Sequence, residues 1–105
     1  MSTPEFKVKA AVKRVLNCLP DMYHHWPVQM GHGAPTLDCI GCYHGVYFAI
    51  ETKAPGKVPT PRQDETIRRI VSAGGVVMVI STAEGAQNIP TWLEEHARAV
   101  RRHSY

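Results

Sequence analysis

Apolar residues recur at helical spacing close to the N-terminus. Phe6, Val8, Ala11, Val12, Val15 and Leu16 form one stripe, while Lys7, Lys9, Lys13 and Arg14 lie largely on the other side. The pattern predicts a helix over residues 4–17. Ser2 or Thr3 can cap it, Pro4 suits its first turn, Glu5 sits at the positive end of its dipole, and Leu19-Pro20-Asp21 ends it. The period then changes. Residues 22–28 read as a strand, with Pro27 arguing for a sheet edge or a strand end. After the loop Gly31-His32-Gly33-Ala34-Pro35, residues 36–42 and 46–53 read as two strands. The short turn His44-Gly45 should make them an antiparallel hairpin. Thr60 or Pro61 can open a second helix running to about Ala73, with Ile67, Ile70 and Val71 facing inward and Gly74-Gly75 stopping it. Residues 76–81 form an unbroken apolar run, which predicts a central strand covered on both faces. A last helix is expected over 90–102, with Trp92, Leu93, Ala97 and Val100 inward.

The expected order is helix, three strands, helix, strand, helix: a small α/β domain with a mixed sheet flanked by helices. At 105 residues the chain (1–105) fits one such domain. No apolar run approaches the ~20 residues of a membrane span, and MSTPEFKVKA lacks the apolar middle of a secretory signal, so a cytoplasmic protein without membrane partners is expected. The formal charge of +3 is compatible with a polyanionic partner without requiring one. The three cysteines, odd in number, argue for reduced thiols.

The segment from Asp38 to Lys53 carries the chemistry. Glu51 and Lys53 are two apart on one strand and share a face, and the hairpin can bring Asp38 beside Glu51. Two carboxylates at one end of a sheet are costly unless a cation sits between them, and hard oxygen ligands suit Mg²⁺ or Mn²⁺. Such an ion can hold a phosphate and acidify a water, with Lys53 stabilising the developing charge, which points to phosphodiester hydrolysis. The plainer reading is that Glu51-x-Lys53 is a weak ion pair on a solvated strand face.

The run from Gly33 through Asp38 to Gly41, then Gly45 to Lys57 with Glu51-Thr52-Lys53 inside it, then Pro61-x-Gln63 and Gly74-Gly75-Val76, resembles a VRR-NUC domain. That family belongs to the PD-(D/E)xK nucleases, whose restriction-endonuclease-like core has the order αβββαβ. The resemblance covers about residues 3–82. It implies that Asp38 and Glu51 are acidic metal ligands, with the main-chain carbonyl of Thr52 as a further one. It implies that Lys53 is the catalytic lysine, that Gln63 supports the site from the next helix, and that Glu5 is a first-helix acid able to join the metal. It further implies a Mg²⁺- or Mn²⁺-dependent endonuclease, similar to the dimeric enzymes that cut branched DNA such as four-way junctions. A nicking, flap or exonuclease, and a non-catalytic DNA-binding module, are the alternatives. Leu37 stands directly before Asp38 where the superfamily motif has proline, and Thr52 replaces the more usual leucine or valine.

Other residues carry two readings each. Glu5 can be a first-turn acid favoured by the dipole, and Gln63 a surface residue at a helix start. Gly33 and His32 can let a DNA backbone approach closely or simply form a turn. Lys57, Arg62, Arg68 and Arg69 can hold phosphates or stand as isolated surface charges, and the basic end Arg98, Arg101, Arg102 and His103 reads as a solvated tail. His24, His25, His32 and His44 with Cys39 and Cys42 suggest zinc. Cys39 and Cys42 should face opposite ways on a strand, however, and read better as small residues packed beside the sheet. Trp26 and Tyr47 are expected in the core or at a dimer contact, with base stacking as the alternative.

Overall fold

The computed structural model describes residues 3–28 and 33–102. In chain order the elements are α1 (Pro4–Asn17), β1 (Met22–His25), β2 (Cys39–Tyr43), β3 (Val46–Thr52), α2 (Pro61–Ser72), β4 (Val76–Ile80), α3 (Ala83–Ala86) and α4 (Ile89–Arg102). This is the expected order with one addition. The four-residue α3 contains Gly85 and carries no helical period; its one signal is Thr82, whose hydroxyl accepts from the Gly85 N–H at 2.9 Å. Thr3 caps α1 in the same way, its hydroxyl accepting from the Phe6 N–H at 3.1 Å with Pro4 next in line. Ser2, Gly31, His32 and His103 lie outside the described residues. Among the described residues no helix is long and apolar enough to cross a membrane.

The four strands form one mixed sheet in the order β1-β2-β3-β4, antiparallel across β1/β2 and β2/β3 and parallel across β3/β4. The hairpin expectation holds. His44 (φ 46°) and Gly45 (φ 85°) both take the left-handed conformation that a two-residue hairpin turn with the strands' own twist requires. β1 stops at His25, short of Pro27, and lies at the sheet edge. β2 begins only at Cys39, so residues 36–38 precede the ladder rather than opening it. The parallel β3/β4 pair is bridged by α2, as a parallel connection demands.

The expectation of a central, doubly covered strand at 76–81 is overturned. Among the described residues β4 pairs with β3 alone and lies at the other sheet edge, with Val79 exposed. The doubly buried strand is β3, in which every residue but Tyr47 is buried. An apolar run reports that both faces avoid water on average. It does not report how many strands flank it.

Alternation sorts the sheet into two faces. Cys39, Tyr43, Val46, Phe48, Ile50 and Ile80 point to the inner face, where Val8, Ala11, Val12 and Leu16 of α1 and Ile89, Leu93 and Ala97 of α4 close the core. Gly41 makes room there for Phe48. A Cβ at that position would lie 2.6 Å from the ring and 2.3 Å from the Tyr23 carbonyl oxygen. Phe6 and Val100, expected inward, are exposed. The buried stripe of α1 starts at Val8, and Val100 lies beside Gly45 of the hairpin turn. The outer face meets α2, which has no fully buried residue; Ile67 and Ile70 are half-buried against it, while Val71 points to solvent.

Candidate active site

The β2/β3 register pairs Cys39 with Ile50, so the next step along brings Asp38 opposite Glu51. Backbone donors then hold both carboxylates, Asp38 serving Glu51 and Thr52 serving Asp38. The Asp38 N–H donates to Glu51 Oε1 at 3.2 Å. The Thr52 N–H and hydroxyl donate to Asp38 Oδ2 at 2.9 and 2.8 Å. Lys53 follows on the same face as Glu51, with its Nζ 3.7 Å from Glu51 Oε2. The Lys53 N–H donates to the Ile80 carbonyl at 2.9 Å, which ties this end of β3 to β4.

Gln63 completes the arrangement from α2. Its Oε1 accepts from the Thr60 N–H at 2.9 Å, while its own N–H donates to Thr60 Oγ1 at 3.2 Å, a reciprocal helix cap. The same amide donates from Nε2 to Glu51 Oε2 at 2.8 Å. An amide has its acceptor and donor at opposite prongs, so the cap that engages Oε1 aims Nε2 at the carboxylate. Surface residue or site support were the two readings for Gln63. Its single side chain both caps the helix and orients Glu51.

Glu51 is 2% exposed. Its pKa is pushed up to about 7, first by burial and then by the charge of Asp38; the Asp38 N–H and the Lys53 ammonium pull it down, and Glu5 adds to the rise. A buried carboxylate beside another acid, with one ammonium near it, is a site that gains from a further cation. Asp38 and Glu51 offer hard oxygen donors of the kind Mg²⁺ and Mn²⁺ take, with water and phosphate oxygens completing the shell. Among the described residues no group of three His, Cys, Asp or Glu side chains comes together as a metal cluster. Glu5 thus stands apart: exposed in the first turn of α1, it acts on Glu51 through its charge and is not gathered with the two acids. Thr52 was expected to offer its carbonyl. What it visibly contributes is the pair of donors that fixes Asp38, a role for the hydroxyl that only a β2/β3 register reveals.

The basic residues divide. Arg62, Thr66 and Arg69, at i, i+4 and i+7 on α2, share one face beside the outer side of the sheet. Arg68 turns away from that row and pairs with Glu65 on the exposed side of the helix. Gly33 (φ 83°) lines the groove next to Arg62 and Gln63, and no described residue lies where a side chain would be. Lys57 is exposed in the loop after β3, and its N–H closes a turn on the Ala54 carbonyl. Cys39 is buried, its thiol pushed up to about 12 chiefly by burial, while Cys42 is exposed on the opposite face and is not packed as expected. Trp26 packs at the edge of the core, as expected, but Tyr47 is 48% exposed and belongs to no core. No protein-family model matches the chain, and no curated protein matches it.

Proposed function

We propose that this protein is a Mg²⁺- or Mn²⁺-dependent DNA endonuclease of the VRR-NUC kind, working as a homodimer on branched DNA such as four-way junctions, in the cytoplasm of a bacterium or a phage-infected cell. The observation that carries the reading is the linked hold on the two acids, the Asp38 N–H on the Glu51 carboxylate and the Thr52 N–H on the Asp38 carboxylate, with the Lys53 ammonium 3.7 Å from Glu51. A solvated Glu-x-Lys pair would not be buried, oriented by a capped glutamine and set against a second acid.

Asp38 and Glu51 would hold the ion, with the Thr52 carbonyl as a further ligand. When bound, the ion neutralises a phosphate oxygen and acidifies a water. Lys53 places a positive charge where the phosphorus-centred transition state gains negative charge. Thr52 and Gln63 keep the two carboxylates from rotating away. In the reaction, the water oxygen bonds to phosphorus, the bond to one deoxyribose oxygen breaks, and that oxygen leaves with a proton. Two such sites in a symmetric dimer suit paired cuts across a symmetric branch.

The test is cleavage of a labelled four-way junction and a matched linear duplex with Mg²⁺ or Mn²⁺. Paired cuts in the junction are expected, and Lys53→Ala and Glu51→Gln should each lower the rate by roughly 10²-fold or more while leaving DNA binding in place. Equal cutting of linear DNA would remove the branch preference. No cutting with either ion would remove the nuclease.

A further inference from the structure

The outer face of the sheet is only partly covered by α2, and the uncovered part is a groove of about 600 Å³. One wall is the α2 row Thr66, Arg69 and Ala73; the other is Pro35, Ile40 and Tyr47. A second hollow shares Ala34, Pro35, Thr36 and Thr66 with it and continues past Arg62 to Gln63, the residue that holds Glu51. The two form one path from Gln63, the partner of Glu51, to Tyr47. Gly75 leaves the floor low. A Cβ there would lie 3.0 Å from the Tyr47 ring and 2.7 Å from Ile70 Cγ2.

Along this path the chemistry alternates between cation and flat apolar surface. Arg62 and Arg69 are exposed, and among the described residues neither has an ion-pair partner, unlike Arg68. Seven helical residues separate them by about 10 Å along the axis, roughly three nucleotide steps of a stacked strand. Tyr47, at the far end, presents its ring beside Ile40 and Ile70. Paired guanidiniums call for a polyanion. An apolar groove ending on a half-exposed aromatic ring calls for a flat, hydrophobic face between the charges. A duplex hides its base faces, and an unpaired nucleotide offers them.

We infer that this groove takes an unpaired stretch of a DNA strand leading away from the scissile phosphate, with Arg62 and Arg69 on its phosphates and a base stacked on Tyr47. This rests on the nuclease reading for the identity of the strand. It adds that nucleotides beside the cut, at the branch, are unpaired in the bound substrate.

The test measures binding without cleavage: fluorescence anisotropy of a labelled single-stranded oligonucleotide and of its duplex, with EDTA present, using the full chain. Wild-type protein should favour the single strand. Tyr47→Leu, which keeps an apolar side chain at this half-exposed position, should weaken single-strand binding about ten-fold and leave duplex binding unchanged, whereas Tyr47→Phe should bind as wild type does. Arg69→Ala should weaken single-strand binding and lower its salt slope by about one. Unchanged single-strand binding by Tyr47→Leu, or equal loss on single strand and duplex, overturns the inference. So does a shift in sedimentation mass of that variant, which would make the groove a subunit contact. Intact cleavage with Tyr47-independent binding removes the groove and keeps the nuclease; Tyr47-dependent binding without any cleavage does the reverse.

Discussion

On the inner face of the sheet, Cys39, Phe48 and Ile50 are completely enclosed, whereas on the outer face Ile40 is half-buried and Tyr47 and Val79 are exposed beside α2. The inner face is closed by helices from both ends of the chain, and apolar side chains fill it. The outer face holds Glu51, Gln63 and the arginine row. A protein this small has few buried residues to spare, and here one side of the sheet supplies the cohesion while the other is left open for chemistry. The buried acid Glu51 sits where the two meet, on the one strand covered from both sides.

The comparison breaks most directly by truncating one large residue on each face. Phe48→Ala should cost about 3–5 kcal/mol, the transfer of the ring plus the cavity left above Gly41. Ile70→Ala, on the half-covered side, should cost about 1–2 kcal/mol, because less of its surface leaves water on folding. Urea unfolding of both variants measures the difference, and equal losses would mean that the outer face is as much a core as the inner one.

Glu51→Gln sharpens it. In the unfolded chain Glu51 titrates near 4.5, and in the fold near 7. The folded protein therefore holds a proton that the unfolded chain has released, and stability is lost as pH rises from about 4.5 through 7. The rise from 4.5 to about 7 corresponds to on the order of 3 kcal/mol. Glu51→Gln should gain that amount over wild type at pH 8 and nothing at pH 4. Added Mg²⁺ should restore part of it to the wild type, which binds the ion as a carboxylate pair, and none to the variant. Parallel pH profiles of the two proteins would contradict the shift.

Thr52→Val removes the hydroxyl that donates to Asp38 Oδ2 and keeps the shape of the side chain. The expected loss of stability is about 1 kcal/mol, and the metal concentration for half-maximal cleavage should rise about ten-fold, as losses of residues that orient metal ligands usually do. A variant with unchanged metal dependence would show that the Thr52 hydroxyl is not needed to hold Asp38.

Much of this was legible beforehand, for identifiable reasons. Helices α1 and α4 follow from strong 3.6-residue periods, and the hairpin from His44-Gly45 between two strand-like runs. Glu51 and Lys53 were placed on one face by their two-residue spacing, and Asp38 beside Glu51 by the short turn of the hairpin. What failed depended on partners the linear pattern does not name. The run Val76–Ile80 could not say that it had a neighbour on one side only. Val71 continued the apolar spacing of α2, yet the sheet-facing side is taken by Gln63, Ile67 and Ile70, because the first of these must reach Glu51. The hydroxyl of Thr52 and the ring of Tyr47 acquire their settings from the sheet, and no local motif marks either. Arg68 and Arg69 are adjacent in sequence and chemically alike; a helix places one against Glu65 and the other along the groove.

The smallest effect belongs to His24, which joins the edge of the sheet to α1. Its Nε2 lies 3.0 Å from Asn17 Oδ1, and its Nδ1 accepts from the Trp26 indole N–H at 3.0 Å. That pattern requires the neutral ring with its proton on Nε2, because a protonated Nδ1 has no lone pair for the indole. Burial lowers the His24 pKa from 6.5, and the ammonium of Lys13, itself 4.9 Å above the Trp26 ring, lowers it further. A depressed base stabilises the fold above pH 6.5, and that contribution is lost as pH falls below 6.5, where the unfolded chain takes up the proton first. This slope is opposite in sign to that of Glu51 and is partly hidden by it, so the Glu51→Gln background is the place to see it. There, stability should fall modestly on acidification below pH 6.5, and the Trp26 indole N–H resonance should shift with a midpoint below that pH. A midpoint at or above 6.5 would mean that the ring accepts its proton inside the fold as readily as in water, and that the bond to Trp26 does not hold it neutral.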